Sequence, residues 1–163
     1  MPDGKTHTRL HKRYIPYATA VGVGLATLSG RPSTGVAFVA GYLVGLLIEP
    51  DLDMVGITES ERRAMRWLVV LAVPWLFWWS IYAALPFFRH RSLLTHYPLL
   101  STLIRLLWLF VPVLFISGVM QWDVQPFLGA LLSREEAWVF AFGLSLSDLV
   151  HDAADRGWSA ARP

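Results

Sequence analysis

The chain has 163 residues, no cysteine, 55% hydrophobic residues and a mean hydropathy of +0.46. This apolar content exceeds the roughly 45–50% of soluble domains, so we predict one membrane domain over residues 1–163. The lack of cysteine excludes disulfides and thiolate metal sites. Because the 8 Trp and 9 Phe sit in apolar runs, the basic pI of about 9.2 favours membrane orientation, and we expect no nucleic-acid partner.

Four apolar stretches are predicted to cross the bilayer as helices: residues 14–29, 34–48, 98–119 and 137–150. The first, second and fourth are short, since a core of about 30 Å needs roughly 20 helical residues. The basic residues before the first stretch also resemble a signal peptide, but no small-x-small cleavage site ends the run. Residues 30–33 predict a tight turn, and Gly41 and Gly45 predict close helix packing. The expected fold is therefore all-α, an integral membrane helical bundle.

Two capping-box patterns mark helix starts nearer the middle and the end of the chain. Thr58 and Glu61 predict an amphipathic helix that leads into the apolar segment 67–88. Ser133 and Glu136 predict that the last helix begins near residue 134 and runs to about residue 156, beyond its apolar part. Its end should then project into water.

Segment 67–88 decides the predicted topology. It is long enough to cross, yet Pro74, Pro86 and its dense Trp and Tyr residues are typical of the membrane interface. If it lies in the interface or re-enters, eleven of the 14 basic residues share one face: Lys5, Arg9, Lys12, Arg13, Arg62, Arg63, Arg66, Arg89, Arg91, Arg156 and Arg162. The positive-inside rule favours this four-span arrangement, with that face and both termini cytoplasmic. If the segment crossed, the termini would lie on opposite sides.

The same face collects the chain's metal-binding side chains. They are His7, His11, His90, His96 and His151, with Asp3, Asp51, Asp53, Asp148, Asp152 and Asp155. These residues come from four separate segments, each placed where a helix enters or leaves the membrane. One divalent-metal site could therefore recruit them, with imidazole and carboxylate ligands that suit zinc, manganese or iron.

Each pair of these residues also has a structural interpretation. Asp51 and Asp53 follow Pro50 and offer hard oxygen ligands, or simply solvate a helix end. His90 and His96 bracket one loop, where two imidazoles can converge or remain ordinary polar residues. Arg89 and Arg91 beside them could anchor phosphate or lipid headgroups.

The last helix carries Asp148, His151 and Asp155 on one face, at spacings of three and four. Such a face can bind a metal directly, or a carboxylate can orient the imidazole from behind. His7 is a stronger candidate ligand because the helical hairpin would bring it near Asp51. His11, one turn further on, is predicted to face the interface.

Arg105 lies about two turns inside the third predicted span, where an unpaired cation is costly. It could bind a phosphate or lipid headgroup below the metal. A snorkelling side chain or a partner for a nearby carboxylate explains it as well.

Four motifs follow one another along almost the whole chain: Pro-x-Gly-Lys-Thr-His at 2–7, Pro-Asp-Leu-Asp at 50–53, His-Arg-Ser-x-x-x-His at 90–96 and His-x-x-x-Asp at 151–155. With them the sequence resembles a family of uncharacterised bacterial membrane proteins described as metal-binding. That family is distantly similar to the LexA-binding, inner-membrane-associated metal-dependent hydrolases and, more remotely, to zinc-dependent phospholipase C. The resemblance implies phosphoester hydrolysis in a bacterial inner membrane. Thr8, where family members often carry an acidic residue, Glu49 and Asp148 depart from its pattern.

The predicted function is a metal-dependent hydrolase at the cytoplasmic interface, acting on a phosphoester or lipid-like substrate. The predicted metal ligands are His7, Asp51, Asp53, His90, His96, His151 and Asp155, with Asp53 or Asp148 as base and Arg91 and Arg105 for a phosphate or headgroup. The alternative is a metal-binding sensor, carrier or scaffold without catalysis, whose site would be closed to water. A transporter is disfavoured because its polar groups would lie near the midplane.

Overall fold

The computed structural model describes residues 4–53, 58–85 and 97–160, and within these ranges all regular structure is helical, as the sequence predicts. The α-helices are α1 (Gly4–Ser29), α2 (Pro32–Val44), α3 (Glu59–Leu68), α4 (Ala72–Ala84), α5 (Pro98–Met120), α6 (Gln125–Leu132) and α7 (Glu135–Ala160). Two 3-10 turns, Pro50–Asp53 and Val69–Leu71, follow α2 and α3. Of the four predicted spans, 98–119 matches α5 closely, whereas α2 ends at Val44, before the predicted limit at residue 48.

The hairpin of α1 and α2 forms at the predicted turn. Gly30 adopts a positive φ of 67°, which a residue with a side chain rarely adopts, and Pro32 starts α2. α2 then packs along α7 in the most extensive helix contact of the described residues. A Cβ at Gly41 would collide with the backbone of Phe140, and one at Gly45 with the side chain of Ser147. The two glycines therefore allow the close packing that their spacing predicts.

The apolar segment 67–88 is not one straight helix. α3 ends at Leu68, the chain turns at Val69 with φ 47°, and α4 begins at Ala72. Pro74 gives the physical reason, because in a continuous helix its ring would clash with the carbonyl of residue 70 and it has no N–H to donate there. Residues 86–88 lie outside the described part of the chain.

Two helical stretches of the described residues have the length and composition to cross a membrane, Glu61–Ala84 and Pro98–Met120. The first includes the turn at Val69, and α2 is a shorter apolar helix. The predicted spans 14–29 and 137–150 are helical as parts of α1 and α7.

Polar contacts mark the two ends of the helix bundle. At one end, Arg31 pairs with Glu135 at 3.3 Å and Ser33 donates to Glu136 at 2.7 Å, which joins the α1–α2 turn to the start of α7. At the other end lie the start of α1, the chain beyond α2, the start of α5 and the end of α7. Two apolar clusters, one with Phe38 and Tyr42 and the other with Leu144, lie between these ends.

Candidate metal centre

Three potential metal ligands meet where the chain leaves α2. Glu49 and Asp51 flank Pro50, which starts a 3-10 turn after α2 has ended at Val44, and His151 faces them from α7. One ligand atom from each residue lies within 4.8 Å of the others. Glu49 and His151 are buried and Asp51 is half-buried.

The Nε2 atom of His151 is the centre of this arrangement. Asp51 Oδ1 lies 3.4 Å from it and Asp155 Oδ2 lies 3.9 Å from it. A hydrogen bond between N and O usually spans about 2.7–3.2 Å. Two ligand atoms about 2.1 Å from one ion lie roughly 3.4 Å apart when their bonds meet at the tetrahedral angle. The spacing between Asp51 and His151 therefore suits two ligands of a common ion better than a direct hydrogen bond.

The surrounding charges change the acidity of the cluster. Burial opposes protonation of His151, but the polar contact and charge of Asp51, with Glu49 and Asp155, outweigh it and raise the pKa of the imidazole above 6.5. Burial also raises the pKa of Glu49, against the opposing charges of His151 and Arg63. The carboxylates thus favour a positive charge beside the imidazole of His151, which a proton or a divalent cation could supply.

A second buried histidine flanks the cluster. The ring centroid of His11 lies 6.4 Å from that of His151, and its Nδ1 lies 3.1 Å from the hydroxyl of Ser147. The hydroxyl of Tyr42 donates to the backbone carbonyl of His11 at 3.0 Å. His11 is therefore held against the site, and the prediction that it faces the interface is wrong because this side of α1 packs on α2 and α7.

Two buried arginines form ion pairs with carboxylates in or next to the cluster. Arg63 of α3 pairs with Glu49, with Nη1 and Oε1 3.0 Å apart. Arg105 of α5 forms an ion pair with Asp148, which also accepts hydrogen bonds from Thr102 and Ser101. Neither arginine points a cation into open solvent.

The profile of the family described as "Uncharacterized metal-binding protein (DUF2227)" matches residues 2–162 of this sequence. The chain belongs to this family. An uncharacterized protein of Aquifex aeolicus (strain VF5) is 29% identical over 140 residues, covering 74% of this chain and 88% of that protein. No solved structure matches the chain. The metal-binding description of DUF2227 agrees with a ligand set of imidazole and carboxylates.

The DUF2227 chain brings together three of the ligands predicted from sequence: Asp51, His151 and Asp155. His7 lies on α1, one turn before His11, but its side chain lies outside the described residues, as does that of Asp53. The predicted ligands His90 and His96 and the predicted headgroup residue Arg91 also lie outside them. These assignments stay predictions.

Asp148 and Arg105 lie beside the centre and contact each other. Of the interpretations open for Arg105, the structure shows the pairing with a nearby carboxylate. The base role of Asp148 stays a prediction, and its Oδ2 already receives Arg105, Thr102 and Ser101.

Glu49 and His11 lie at the site, although the ligand set predicted from sequence does not include them. Glu49 stands at the end of an apolar stretch and looks like a solvated helix end. His11 lies four residues after His7, so both belong to one face of α1. That spacing was the signal that could have placed His11 at the site.

Proposed function

We propose that this protein is a membrane-embedded hydrolase that uses a divalent metal ion to cleave a phosphoester or lipid-like substrate. The observation that carries the proposal is the convergence of Glu49, Asp51 and His151 with Asp155 beside them. Buried carboxylates around one imidazole are costly unless a cation compensates them. The donor set fits zinc best, and manganese or iron as well.

The proposed chemistry requires that the ion keep one coordination position for water. Among the described residues three potential ligands converge, and three protein ligands with one open position are typical of catalytic rather than structural zinc sites. A bound divalent ion supplies Lewis acidity and lowers the pKa of water. The carboxylate that accepts the proton is proposed to be Asp53 rather than Asp148, because Asp148 is already engaged by Arg105 and two hydroxyls.

The apolar surface supports membrane embedding. Val70 is 84% exposed, Val73 74% and Phe115 70%, and all three belong to the stretches long enough to cross. Exposed Tyr97 and Trp122 flank α5 at its two ends, as in the aromatic belts of membrane helices. The 23 residues of α5 span about 35 Å as a helix, enough for a bilayer core of about 30 Å.

The contacts around α3 and α4 support the topology with four spans. The chain enters this segment from Ile48 and leaves it towards α5, and Arg105 of α5 donates to the carbonyl of Ile48. The segment thus lies, along the chain, between two positions that contact each other at the metal-centre end of the bundle. This arrangement favours an interfacial or re-entrant course for α3 and α4, with the metal centre and both termini on the cytoplasmic face of a bacterial inner membrane.

A hydrolysis assay in detergent tests the proposal. The purified protein, loaded with Zn²⁺ or Mn²⁺, is offered a chromogenic phosphodiester and a phospholipid in mixed micelles. We expect metal-dependent turnover that falls by about 10²-fold or more in Asp51→Asn, since the substitution removes a metal ligand. Asp152→Asn is the matched control, because Asp152 lies next to His151 but pairs with Arg156 at 2.8 Å.

The outcomes separate the two functions considered from sequence. Metal-dependent turnover lost only in Asp51→Asn supports the hydrolase. Stoichiometric metal without turnover of either substrate would favour the sensor, carrier or scaffold. Equal turnover in Asp51→Asn and Asp152→Asn would place the reaction elsewhere.

A further inference from the structure

Arg63 and Arg105 come from α3 and α5, which carry none of the described candidate ligands. Both nevertheless contact the segment 46–51, which carries Glu49 and Asp51. Their side chains are almost fully buried, with Arg63 5% and Arg105 1% exposed. A buried guanidinium is costly unless its donors are used. The hydrogen-bond acceptors of both guanidinium groups therefore indicate their structural role.

Arg63 joins α3 to two other segments. It donates to the backbone carbonyl of Leu46 and, from the same nitrogen, to Glu49 Oε1 at 3.0 Å. Its second nitrogen donates to the hydroxyl of Thr8 on α1 at 2.5 Å. One side chain thus fixes Glu49, the backbone three residues before it, and the α1 turn that precedes His11.

Arg105 makes the corresponding connection from α5. It donates to the backbone carbonyl of Ile48, directly before Glu49, and to Asp148, which lies one helical turn before His151. Its Nε donates to the carbonyl of Ser101 at 3.2 Å, which fixes the side chain on its own helix. The guanidinium therefore connects the two segments that carry Glu49, Asp51 and His151.

The carbonyls of Leu46 and Ile48 lie just beyond α2, where the helix no longer supplies N–H donors along its axis. Arginine can serve two acceptors at once through its rigid planar fork, whereas lysine is a point charge on a flexible stem. The orientation of the segment 46–51 relative to α7 therefore depends on the shape of these guanidinium groups as well as on their charge.

We infer that Arg63 and Arg105 are positioning residues that set the separation between the ligands after α2 and those on α7, and thereby the affinity and coordination geometry of the metal. This inference rests on the proposed metal site but not on hydrolysis. Arg105 would act on the metal through Ile48 and Asp148, and its predicted contact with a phosphate or headgroup stays a prediction.

The test replaces each arginine by lysine, which keeps the charge and removes the fork. Co²⁺ is titrated into the full-length protein in detergent, and both the dissociation constant and the visible d–d absorption are recorded. We expect Arg63→Lys and Arg105→Lys to bind Co²⁺ about 10–100-fold more weakly, as for other groups that orient metal ligands, with an altered d–d spectrum. Arg62→Lys is the matched control, since Arg62 is exposed on the same helix.

Thr8→Val serves if the lysine variants do not fold. It removes one acceptor of Arg63 at a half-buried position, and a several-fold weaker Co²⁺ affinity with a shifted spectrum is expected. Wild-type affinity and spectrum in the folded lysine variants, or in Thr8→Val if it alone folds, would overturn the inference and leave the metal site intact. No Co²⁺ binding by the wild type would overturn both the inference and the proposed function.

Discussion

His151 presents one nitrogen to two carboxylates that differ in distance and in origin. Asp51 comes from the segment after α2 and lies 3.4 Å from Nε2, whereas Asp155 lies on the same helix at 3.9 Å. A residue one turn away on the same helix can bind the metal or orient the imidazole. The shorter distance and the separate backbone favour Asp51 as the direct ligand.

The two carboxylates should therefore respond differently to amidation. We expect Asp51→Asn to abolish stoichiometric zinc binding, and Asp155→Asn to weaken it by about 10–100-fold through a less well oriented His151. Isothermal titration of each variant with Zn²⁺ measures the difference. An equal loss of zinc affinity in the two variants would indicate that Asp155 also binds the metal directly.

The pH dependence of metal binding should follow the imidazole. The pKa of His151 is raised above its ordinary 6.5, so the proton stabilises the folded metal-free protein below that value, and this stabilisation is lost as pH rises through the folded pKa. Zinc needs the neutral imidazole, so we expect its affinity to rise about tenfold per pH unit up to the folded pKa. Zinc titrations at several pH values test this trend. An affinity independent of pH between about 5.5 and 7.5 would contradict it.

At this scale, the sequence predicts residues whose spacing defines a helix face. Asp148, His151 and Asp155 fall on one face by spacing alone, and the structure places them on the side of α7 that meets the ligand segment. Glu49 could not be chosen in the same way, because its approach to His151 depends on how α2 packs on α7. The positions of Arg63 and Arg105 depend likewise on tertiary contacts.

Among the helices, α2 and α7 approach so closely that glycine is required on both. A Cβ at Gly41 would meet the backbone of Phe140, and one at Gly143 would meet the backbone of Phe38. Backbone atoms cannot move aside as a flexible side chain can, so the helices themselves would have to separate. Since α2 leads into Glu49 and Asp51 while α7 carries His151, this contact also bears on the metal centre.

Gly41→Ala should therefore destabilise the protein. Overpacking typically costs about 1–3 kcal/mol, against a gain of about 0.5–1 kcal/mol in helix propensity. Gly129→Ala in α6 is the control, because nothing lies within 4 Å of its added Cβ, and it should leave stability unchanged or slightly raised. Thermal unfolding in detergent compares the two. A Gly41→Ala midpoint at or above that of Gly129→Ala would contradict the described packing of α2 on α7.

Local sequence patterns predict where helices start, but they do not predict which residues the individual side chains contact. The capping box of Thr58 and Glu61 forms as predicted. The last helix starts at Glu135, close to the predicted residue 134, but Glu136 accepts a hydrogen bond from Ser33 of the α1–α2 turn. Ser33 and Glu136 are 103 residues apart in sequence, so a local capping pattern cannot predict this hydrogen bond. α6 lies outside the elements predicted from the sequence.

In the whole molecule, two polar ends are separated by apolar helices. The metal centre lies at one end, and the contacts of Arg31 and Ser33 with α7 lie at the other. If the bundle crosses a membrane, the two ends face different compartments. Because the chain has no cysteine, a single introduced cysteine can report which compartment each end faces, with no labelling of native thiols.

A membrane-impermeant thiol reagent should distinguish the ends in intact cells. Asp123→Cys, at an exposed position beyond α5, should be labelled from outside. Arg62→Cys, at an exposed position near the metal centre, should be labelled only after the membrane is opened. The proposed topology predicts this opposite pattern, whereas labelling of both positions from the same side would exclude it.

Composition and positive-inside counting could predict an apolar helical bundle with polar groups at its ends. They could not predict the course of the segment 67–88, which depends on the break at Val69 and on packing such as the stacked rings of Trp78 and Trp108, 4.5 Å apart. Aromatic residues suit an interface and a buried contact equally well, so their density in a sequence does not distinguish the two.

The candidate centre of Glu49, Asp51 and His151 is proposed to hold one divalent metal ion. Its most direct test is elemental analysis of the detergent-purified protein after zinc supplementation and removal of loosely bound metal, with His151→Ala and Asp152→Asn beside the wild type. We predict about one zinc per chain in the wild type and in Asp152→Asn, and none in His151→Ala. Equal zinc in all three proteins, or none in the wild type, would contradict the claim.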